Sequence, residues 1–213
     1  EVLRPLSRKY DLAEHVYPRE LDLLAAMVEG LAQSGSSEGA GATGTGKKVD
    51  AQGDGKGADA VRNGAAMASC LSILEACRGD LGLSLSLPGQ SLGNAAISAV
   101  ATPEQKERYG KRWAAMAITE PDAGSDAGAI RTTARKDGDD YVLNGEKVFV
   151  TCGERAELVV VWATLDASLG RAAIKSFVVE RTNPGLKLVR LEHKLGIRAS
   201  DTVGRIGGDE FVV

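Results

Sequence analysis

The sequence is poor in aromatic residues, cysteine and histidine, and each shortage argues against a class of protein. Aromatic side chains make up 4% of the 213 residues, and no dense stripe of Lys and Arg runs between them, so a nucleic-acid partner is not expected. Cys70, Cys77 and Cys152 lack CxxC spacing, which argues against a disulfide framework and a zinc site. His15 and His193 have no companions at metal-ligand spacing, so no metal centre is expected.

Long apolar runs are also missing. The longest uninterrupted run in the second half, residues 158–163, is far shorter than the roughly 20 residues that a membrane span requires. The N-terminus lacks the charged, apolar and small-residue order of a signal peptide. With 43% hydrophobic residues and a net charge of −3, the chain suits one large domain or two modest ones. We therefore expect a soluble, cytoplasmic protein with no membrane span.

The first half of the chain predicts helices on either side of a polar loop. Residues 12–33 carry apolar side chains at the three-and-four spacing of an amphipathic helix. Residues 34–64 are dominated by Gly, Ser, Ala, Asp and Lys, and this composition predicts a flexible loop. Helical spacing resumes beyond the loop, where Cys70 and Cys77 are expected to be buried. The sequence Thr-Pro-Glu-Gln at 102–105 has the capping-box pattern that begins another helix.

The second half of the chain predicts strands, because apolar and polar residues alternate after residue 113. Two short apolar runs flank Asn144-Gly145, and this arrangement is a hairpin signal. The other candidate strands are residues 158–165, 174–179 and 186–191.

Helices followed by strands predict a multi-domain α+β fold rather than a doubly wound sheet. We expect an all-α helical domain over residues 1–113, which includes the flexible loop. A mainly antiparallel β-domain is expected over residues 114–213. The boundary lies where the period of the apolar pattern changes.

Two glycine motifs suggest other functions. Residues 39–44 satisfy GxGxxG, but their flanks are polar rather than a strand and a helix, so low-complexity sequence explains them better. The sequence Gly-Gln-Ser-Leu-Gly around Ser91 fits GxSxG, and residues 81–87 alternate as a preceding strand would. A serine hydrolase would then use Ser91 as nucleophile, His193 as base and an acid such as Asp166. This hydrolase remains an alternative.

The segment from Met116 to Asp126, MAITEPDAGSD, places small and polar residues directly after an apolar run that is typical of a strand. Pro121 removes a backbone donor and ends strand pairing. Gly124 permits a φ that other residues resist, so the N–H groups of Gly124 and Ser125 can face an anion or a carbonyl. An ordinary turn is the default interpretation when only the residue types are considered.

Three segments together resemble the acyl-CoA dehydrogenases, a family of flavoenzymes. They are residues 116–126, residues 141–151 (YVLNGEKVFVT) and residues 194–202 (KLGIRASDT), and the resemblance covers roughly residues 80–204. It implies FAD as cofactor and acyl-CoA as substrate, with flavin-dependent α,β-dehydrogenation of the thioester to the enoyl-CoA, as in fatty acid β-oxidation and lipid metabolism. It also implies that residues 81–87 are helical, which removes the strand that Ser91 would need.

The resemblance implies roles for individual residues. Amide donors near Thr119 would stabilise charge on the flavin ring, Phe149 would cover one ring face, and Thr151 would offer its hydroxyl to a ring nitrogen. The implied cofactor-binding residues are Met116, Ala117, Ile118, Thr119, Gly124, Ser125, Phe149, Val150 and Thr151. The implied substrate-binding residues, some of which border the coenzyme A channel, are Ser125, Asp201, Thr202, Val203 and Gly204.

The resemblance leaves the catalytic base unassigned. In the family the base is usually a Glu of a C-terminal helical domain. The resemblance implies a structural role for Glu120, and Glu210 lies beyond the segments that align. Neither residue is therefore assigned as the base. We therefore expect this chain to be inactive by itself. The resemblance further implies a homo- or hetero-tetramer that passes electrons to an electron-transfer flavoprotein. A non-catalytic subunit that binds flavin or acyl-CoA in a hetero-oligomer is the alternative.

Overall fold

The computed structural model of the chain describes residues 3–13, 16–33, 64–89, 92–194 and 201–206. Among the described residues, six α-helices come first, and seven β-strands follow them. The helices are α1 (Leu3–Leu12), α2 (Glu20–Gln33), α3 (Gly64–Gly79), α4 (Leu81–Leu85), α5 (Leu92–Val100) and α6 (Pro103–Tyr109). The strands are β1 (Ala114–Ala117), β2 (Thr133–Asp137), β3 (Asp140–Thr151), β4 (Leu158–Thr164), β5 (Ile174–Glu180), β6 (Leu186–Leu191) and β7 (Asp201–Ile206). This order confirms the predicted α+β fold class.

Several predictions concern residues outside the described ranges. These are the loop at residues 34–63 with its GxGxxG motif, His15, Ser91, residues 195–200 of the third segment, and Glu210. Within the described ranges, no helix is both long and apolar enough to cross a membrane.

The seven strands form one sheet in which β3 joins two halves. The strand order is β1-β4-β2-β3-β7-β6, and β5 pairs with β4 outside this path. The first half of β3 pairs antiparallel with β2, and its second half pairs antiparallel with β7. Strand β1 runs parallel to β4, whereas the pairs β4–β5 and β6–β7 are antiparallel. The sheet is therefore mainly antiparallel, as predicted.

The core of the β region lies along β3, β4 and β5. Every residue of β4 except Trp162 is buried. Leu143 from β3 and Phe177 from β5 belong to the same core cluster. A nearly continuous apolar run is what a strand buried on both faces requires. The predicted strands at residues 158–165, 174–179 and 186–191 are confirmed, because β4, β5 and β6 occupy these residues.

The predicted hairpin at Asn144-Gly145 is wrong. Strand β3 runs through both residues, and the hairpin lies between β2 and β3 at Gly138, whose φ is +60°. Gly145 is required for close packing, because a Cβ there would lie 2.3 Å from Thr132 Oγ1. Asn-Gly is a strong turn signal, but here glycine is needed because Thr132 packs directly against this position.

The helical region departs from the prediction in two places. The spacing predicts one helix over residues 12–33, whereas α1 and α2 are separate and Pro18 lies between them. Proline has no N–H to donate to a helix, so it breaks the pattern. Cys70 and Cys77 are exposed rather than buried. Their helix α3 packs against α1 and α4, which leaves the side with both thiols uncovered.

Two predictions in the helical region are confirmed. Thr102 and Gln105 form a capping box, in which Gln105 N donates to Thr102 Oγ1 (3.3 Å) and Thr102 N donates to Gln105 Oε1 (3.0 Å). Residues 81–85 form helix α4, as the family resemblance implies, although the alternation of apolar and small residues at 81–87 by itself suggests a strand. Asp80 caps this helix by accepting from Leu83 N at 2.7 Å.

Helix α5 attaches the helices to β1 through two adjacent residues. The buried Asn94 accepts from Ala114 N (2.9 Å) and donates to Arg112 O (2.7 Å). A Cβ at Gly93 would lie 2.4 Å from the carbonyl oxygens of both Ala114 and Ala115, so only glycine permits this approach. The start of β1 is therefore held by a helix.

A second link joins the turn after β3 to the helices. The guanidinium of Arg155 lies 3.6 Å from the ring centroid of Tyr17 and donates to Ser86 O at 2.9 Å. Cys152 Sγ donates to Leu85 O at 3.3 Å. The start of β1 and the turn after β3 thus both contact the helical region. The domain boundary at residue 113 stays a prediction.

Candidate functional site

Strand β3 brings together parts of all three segments that carry the family resemblance. Val148 N donates to Thr119 O at 2.9 Å, which ties the first segment to the second. Val150 lies opposite Thr202 of β7, which ties the second segment to the third. Residues that are far apart in the sequence therefore meet along one strand.

Phe149 lies in an irregularity of β3 that turns its ring outward. The register with β7 shifts between Lys147 and Val150, so Val148 and Phe149 form a bulge. Phe149 has a φ of +55°, which costs a bulky L-residue about 1–3 kcal/mol. Its side chain is 51% exposed, although Val148 and Val150 on either side are buried. An exposed aromatic ring held in a strained bulge indicates a surface for stacking against a ligand.

The residues that follow β1 run beside β3. Ala117 is buried, whereas Met116 is partly exposed. The carbonyl of Ile118 accepts from Lys147 Nζ at 3.1 Å. Because the C=O and N–H of a trans peptide point in opposite directions, the N–H of Thr119 points away from Lys147. Among the residues that the structure describes, none accepts a hydrogen bond from this N–H.

Glu120 is a buried carboxylate held by three donors. Its Oε1 accepts from Lys147 Nζ (2.7 Å) and Thr132 N (2.9 Å), and its Oε2 accepts from Arg131 N (2.6 Å). Burial raises the pKa of Glu120, but the hydrogen bonds from Lys147, Thr132 and Arg131 outweigh burial and hold that pKa below its ordinary value. An ionised carboxylate bonded in this way is a weak proton acceptor. The geometry supports leaving Glu120 out of the base assignment.

Gly124 and Ser125 lie on an exposed segment after a tight turn. Glu120 N donates to Ala123 O (2.9 Å) and Ala123 N donates to Glu120 O (3.2 Å), which closes the chain around Pro121. Gly124 does not adopt a positive φ, and a Cβ there would meet nothing within 4 Å. Gly124 therefore does not use the positive φ that a glycine permits. Both residues are nevertheless exposed to a ligand.

The end of the third segment, Asp201 and Thr202, begins β7, an inner strand between β3 and β6. Gly204 lies opposite Lys147 on one side and Leu188 on the other. A small cleft opens between the two halves of the sheet. Its lining includes Ala117, Lys147, Val150, Leu186, Leu188 and Gly204.

The hydrolase alternative lacks its structural context. A nucleophile elbow needs a strand before the serine, but Leu81–Leu85 is helical. Asp166 accepts from Ser168 N (2.9 Å) and Ser168 Oγ (2.7 Å), so it caps a 3-10 helix. His193 is exposed. None of these features favours a triad.

Comparison with known proteins supports the resemblance that the sequence shows. Residues 115–207 match the family model described as acyl-CoA dehydrogenase, middle domain. The solved structure of butyryl-CoA dehydrogenase from Megasphaera elsdenii matches 100% of this chain and 53% of that chain, with a TM-score of 0.73 and 29% identity. Residues 115–207 thus match an acyl-CoA dehydrogenase middle domain, and the chain is similar to acyl-CoA dehydrogenases of known structure.

Two further acyl-CoA dehydrogenases are similar to parts of the chain. The mitochondrial short-chain specific acyl-CoA dehydrogenase of Bos taurus is 44% identical over 117 residues, which are 52% of this chain and 28% of that protein. A glutaryl-CoA dehydrogenase from Mycobacterium smegmatis in complex with FADH2 has a TM-score of 0.58 and 31% identity, covering 68% of this chain and 38% of that chain. The chain spans 28% to 36% of the length of the curated relatives that it matches.

Lys147 is a residue of the candidate site that the sequence analysis missed. It is 1% exposed, and burial lowers its pKa against the opposing attraction of Glu120. The signal was present in the sequence, because side chains alternate along a strand. Leu143, Gly145 and Lys147 share one face of β3, and Leu143 is fully buried. A lysine on that face has to find a buried partner.

Proposed function

We propose that the chain forms the N-terminal helical and middle β parts of an FAD-dependent acyl-CoA dehydrogenase, with domains at residues 1–113 and 114–213. The reaction removes the α-proton and the β-hydrogen of an acyl-CoA thioester and leaves the α,β-enoyl-CoA. The observation that carries this proposal is the meeting of the three motif segments along β3, through the Thr119–Val148 hydrogen bond and the Val150–Thr202 pair. The match of residues 115–207 to the acyl-CoA dehydrogenase middle domain and the similarity to butyryl-CoA dehydrogenase support it.

The exposed groups beside β3 fit a flat, hydrogen-bonding ring such as that of FAD. Phe149 offers an aromatic face, and the N–H of Thr119 has no acceptor among the described residues. We assign the backbone from Met116 to Thr119 to the edge of the ring, Phe149 to one face, and Val150 and Thr151 to the ring's hydride-accepting side. Bound FAD would supply the hydride acceptor. The FADH2 bound to the similar glutaryl-CoA dehydrogenase supports this choice of cofactor.

The acyl-CoA thioester is assigned to the same side of the sheet. Gly124 and Ser125 are exposed after the turn at Pro121 and would bind the flavin pyrophosphate or the acyl-CoA through backbone N–H groups. The β7 residues assigned to the border of the coenzyme A channel are Asp201, Thr202, Val203 and Gly204.

The catalytic base is assigned to a residue outside this chain. Glu120 accepts hydrogen bonds from Lys147 and from two backbone amides, and these bonds keep its carboxylate ionised. We therefore propose that a C-terminal helical domain of the complete protein supplies the carboxylate that removes the α-proton. The complete protein would form a homo- or hetero-tetramer and pass electrons to an electron-transfer flavoprotein. The present chain alone would be inactive.

The test is the visible absorbance of the flavin in the protein that carries this chain, recorded before and after addition of a series of acyl-CoA thioesters. We expect at least one thioester to bleach the flavin. Replacing Thr151→Val should slow bleaching about 100-fold, because a donor to the ring is lost. Thr133→Val changes an exposed threonine on β2 and should leave the rate unchanged.

Three outcomes separate the alternatives. A protein that contains no flavin would overturn the proposal and reopen the hydrolase with Ser91. Bound flavin that no acyl-CoA thioester bleaches would favour a non-catalytic flavin-binding or acyl-CoA-binding subunit. Bleaching only in a form that extends beyond residue 213 would locate the base outside this chain.

A further inference from the structure

We propose that the buried Lys147–Glu120 ion pair is a positioning device that orients the Ile118–Thr119 peptide toward the flavin, an inference that rests on the proposed function. Both side chains are almost fully buried, since Lys147 is 1% exposed and Glu120 is 6% exposed. The pair acts through the backbone that it holds.

The ammonium of Lys147 holds the chain on both sides of Thr119. Its Nζ donates to Ile118 O at 3.1 Å and to Glu120 Oε1 at 2.7 Å. The carbonyl of Thr119 itself accepts from Val148 N at 2.9 Å. With these contacts in place, the peptide plane between Ile118 and Thr119 cannot rotate freely, and the Thr119 N–H is directed away from the buried side.

Glu120 anchors the clamp to a third segment. Its two oxygens accept from the backbone N–H groups of Arg131 and Thr132, at 2.6 and 2.9 Å. These residues directly precede β2, which pairs with β3. The carboxylate therefore fixes the position of the ammonium as well as balancing its charge, and the clamp depends on both partners.

The bulge in β3 explains why such a clamp is needed. Lys147 directly precedes Val148 and Phe149, where the register with β7 is irregular. Regular ladder hydrogen bonds are interrupted at a bulge. The ion pair supplies a fixed attachment at the point where the sheet itself does not.

The alternative is that the pair contributes only stability. The double variant Glu120→Gln with Lys147→Met separates the two roles. It removes both charges, and the single carbonyl oxygen of the introduced glutamine can still accept from one of the two amides of Arg131 and Thr132, so part of the stability lost in Lys147→Met should return. The introduced methionine has no group that donates to Ile118 O, so the orientation of the Thr119 peptide should not return.

The experiment compares the wild-type flavoprotein, Lys147→Met, the double variant and Lys136→Met, in which an exposed lysine of β2 is replaced. The measured quantities are the FAD dissociation constant, the midpoint potential of bound FAD, and hydrogen exchange at residues 118–120 in the flavin-free protein. We expect the double variant to unfold at a midpoint between those of Lys147→Met and the wild type, but to bind FAD about tenfold more weakly than the wild type, because an oriented donor is lost. Its potential should shift, and exchange at residues 118–120 should rise.

Wild-type FAD affinity, potential and exchange in the double variant would overturn the inference while leaving the proposed function intact. Absence of FAD from the wild-type protein would overturn the proposed function instead. In that case, exchange at residues 118–120 would still decide whether the pair holds this peptide. Lys136→Met should match the wild type in every measurement, and a change there would show that charge alone accounts for the effect.

Discussion

The β region buries its apolar side chains, whereas the helical region leaves many of them exposed. Every residue of β4 except Trp162 is buried, but Met67, Leu71 and Leu74 of α3 are 59%, 56% and 54% exposed. The largest core cluster of the β region contains eleven buried residues, and that of the described helices contains four. The β region therefore has a core of its own, while the described helices leave several large apolar side chains exposed.

The largest expected loss of stability comes from breaking the buried ion pair between Lys147 and Glu120 in the β region. Lys147→Met leaves the carboxylate of Glu120 buried without its cation, which typically costs about 3–5 kcal/mol. We expect the urea midpoint of the β region to fall accordingly. A loss below about 1 kcal/mol would show that water or a rearranged side chain replaces the ammonium. Lys136→Met, on the exposed side of β2, is the matched control.

A pair of leucine substitutions tests the comparison directly. Leu143 is fully buried in the β core, so Leu143→Ala should cost about 3 kcal/mol through lost burial and a residual cavity. Leu71 is 56% exposed on α3, so Leu71→Ala should cost no more than about 0.5 kcal/mol in the same chain. Chemical denaturation followed by circular dichroism measures both. Equal losses would mean that α3 is covered in solution.

Breaking the hydrogen bonds of Asn94, which connect the two regions, should cost less stability than the changes in the β core. Asn94→Ala leaves the N–H of Ala114 and the carbonyl of Arg112 without their partner, which costs about 1–3 kcal/mol. We expect the helices to unfold before the sheet in this variant, so fluorescence and circular dichroism would no longer give coincident transitions. The exposed Asn144 offers a control, and Asn144→Ala should keep one transition. Coincident curves in Asn94→Ala would argue against Asn94 as the main link.

The smallest expected effect is the pH dependence that Glu120 contributes. Its pKa is lower in the folded protein than its ordinary value of 4.5. The contribution is therefore fully present above that value and is lost as the pH falls through the lower folded-state pKa. The difference in unfolding free energy between the wild type and Glu120→Gln, measured from neutral to acid pH, should shrink toward low pH. A difference that stays constant would mean that the pKa is not lowered.

The sequence predicted the architecture well where the periodicity was strong. The apolar run at residues 158–165 and the capping box at Thr102 both specify one local structure, and both were confirmed. Predictions failed where a residue served a distant neighbour. Gly145 lies in mid-strand because Thr132 approaches it, and Cys70 is exposed because no described helix covers that side of α3. Such relations depend on packing and are not encoded in local spacing.

The candidate site shows the same division. The motif segments were visible in the sequence, but their meeting along β3 depends on pairing between residues about 50 positions apart. The left-handed backbone of Phe149 and the partner of Lys147 were not visible, because both follow from the register of β3 against its neighbours. Alternation along the strand would have placed Lys147 inside the protein, although it would not have identified Glu120.

The sharing of β3 by two partners has a consequence for synthesis on the ribosome. The β2–β3 hairpin can form as soon as Thr151 has emerged, whereas β7 begins only at Asp201. At a synthesis rate of about 5–20 residues per second, the second half of β3 stays unpaired for roughly 3–10 s until β7 has been made. During that interval it presents an open strand edge, the kind of surface that recruits other unfinished chains. The residues that form the candidate flavin site are therefore also the ones most exposed to aggregation while the protein is being made.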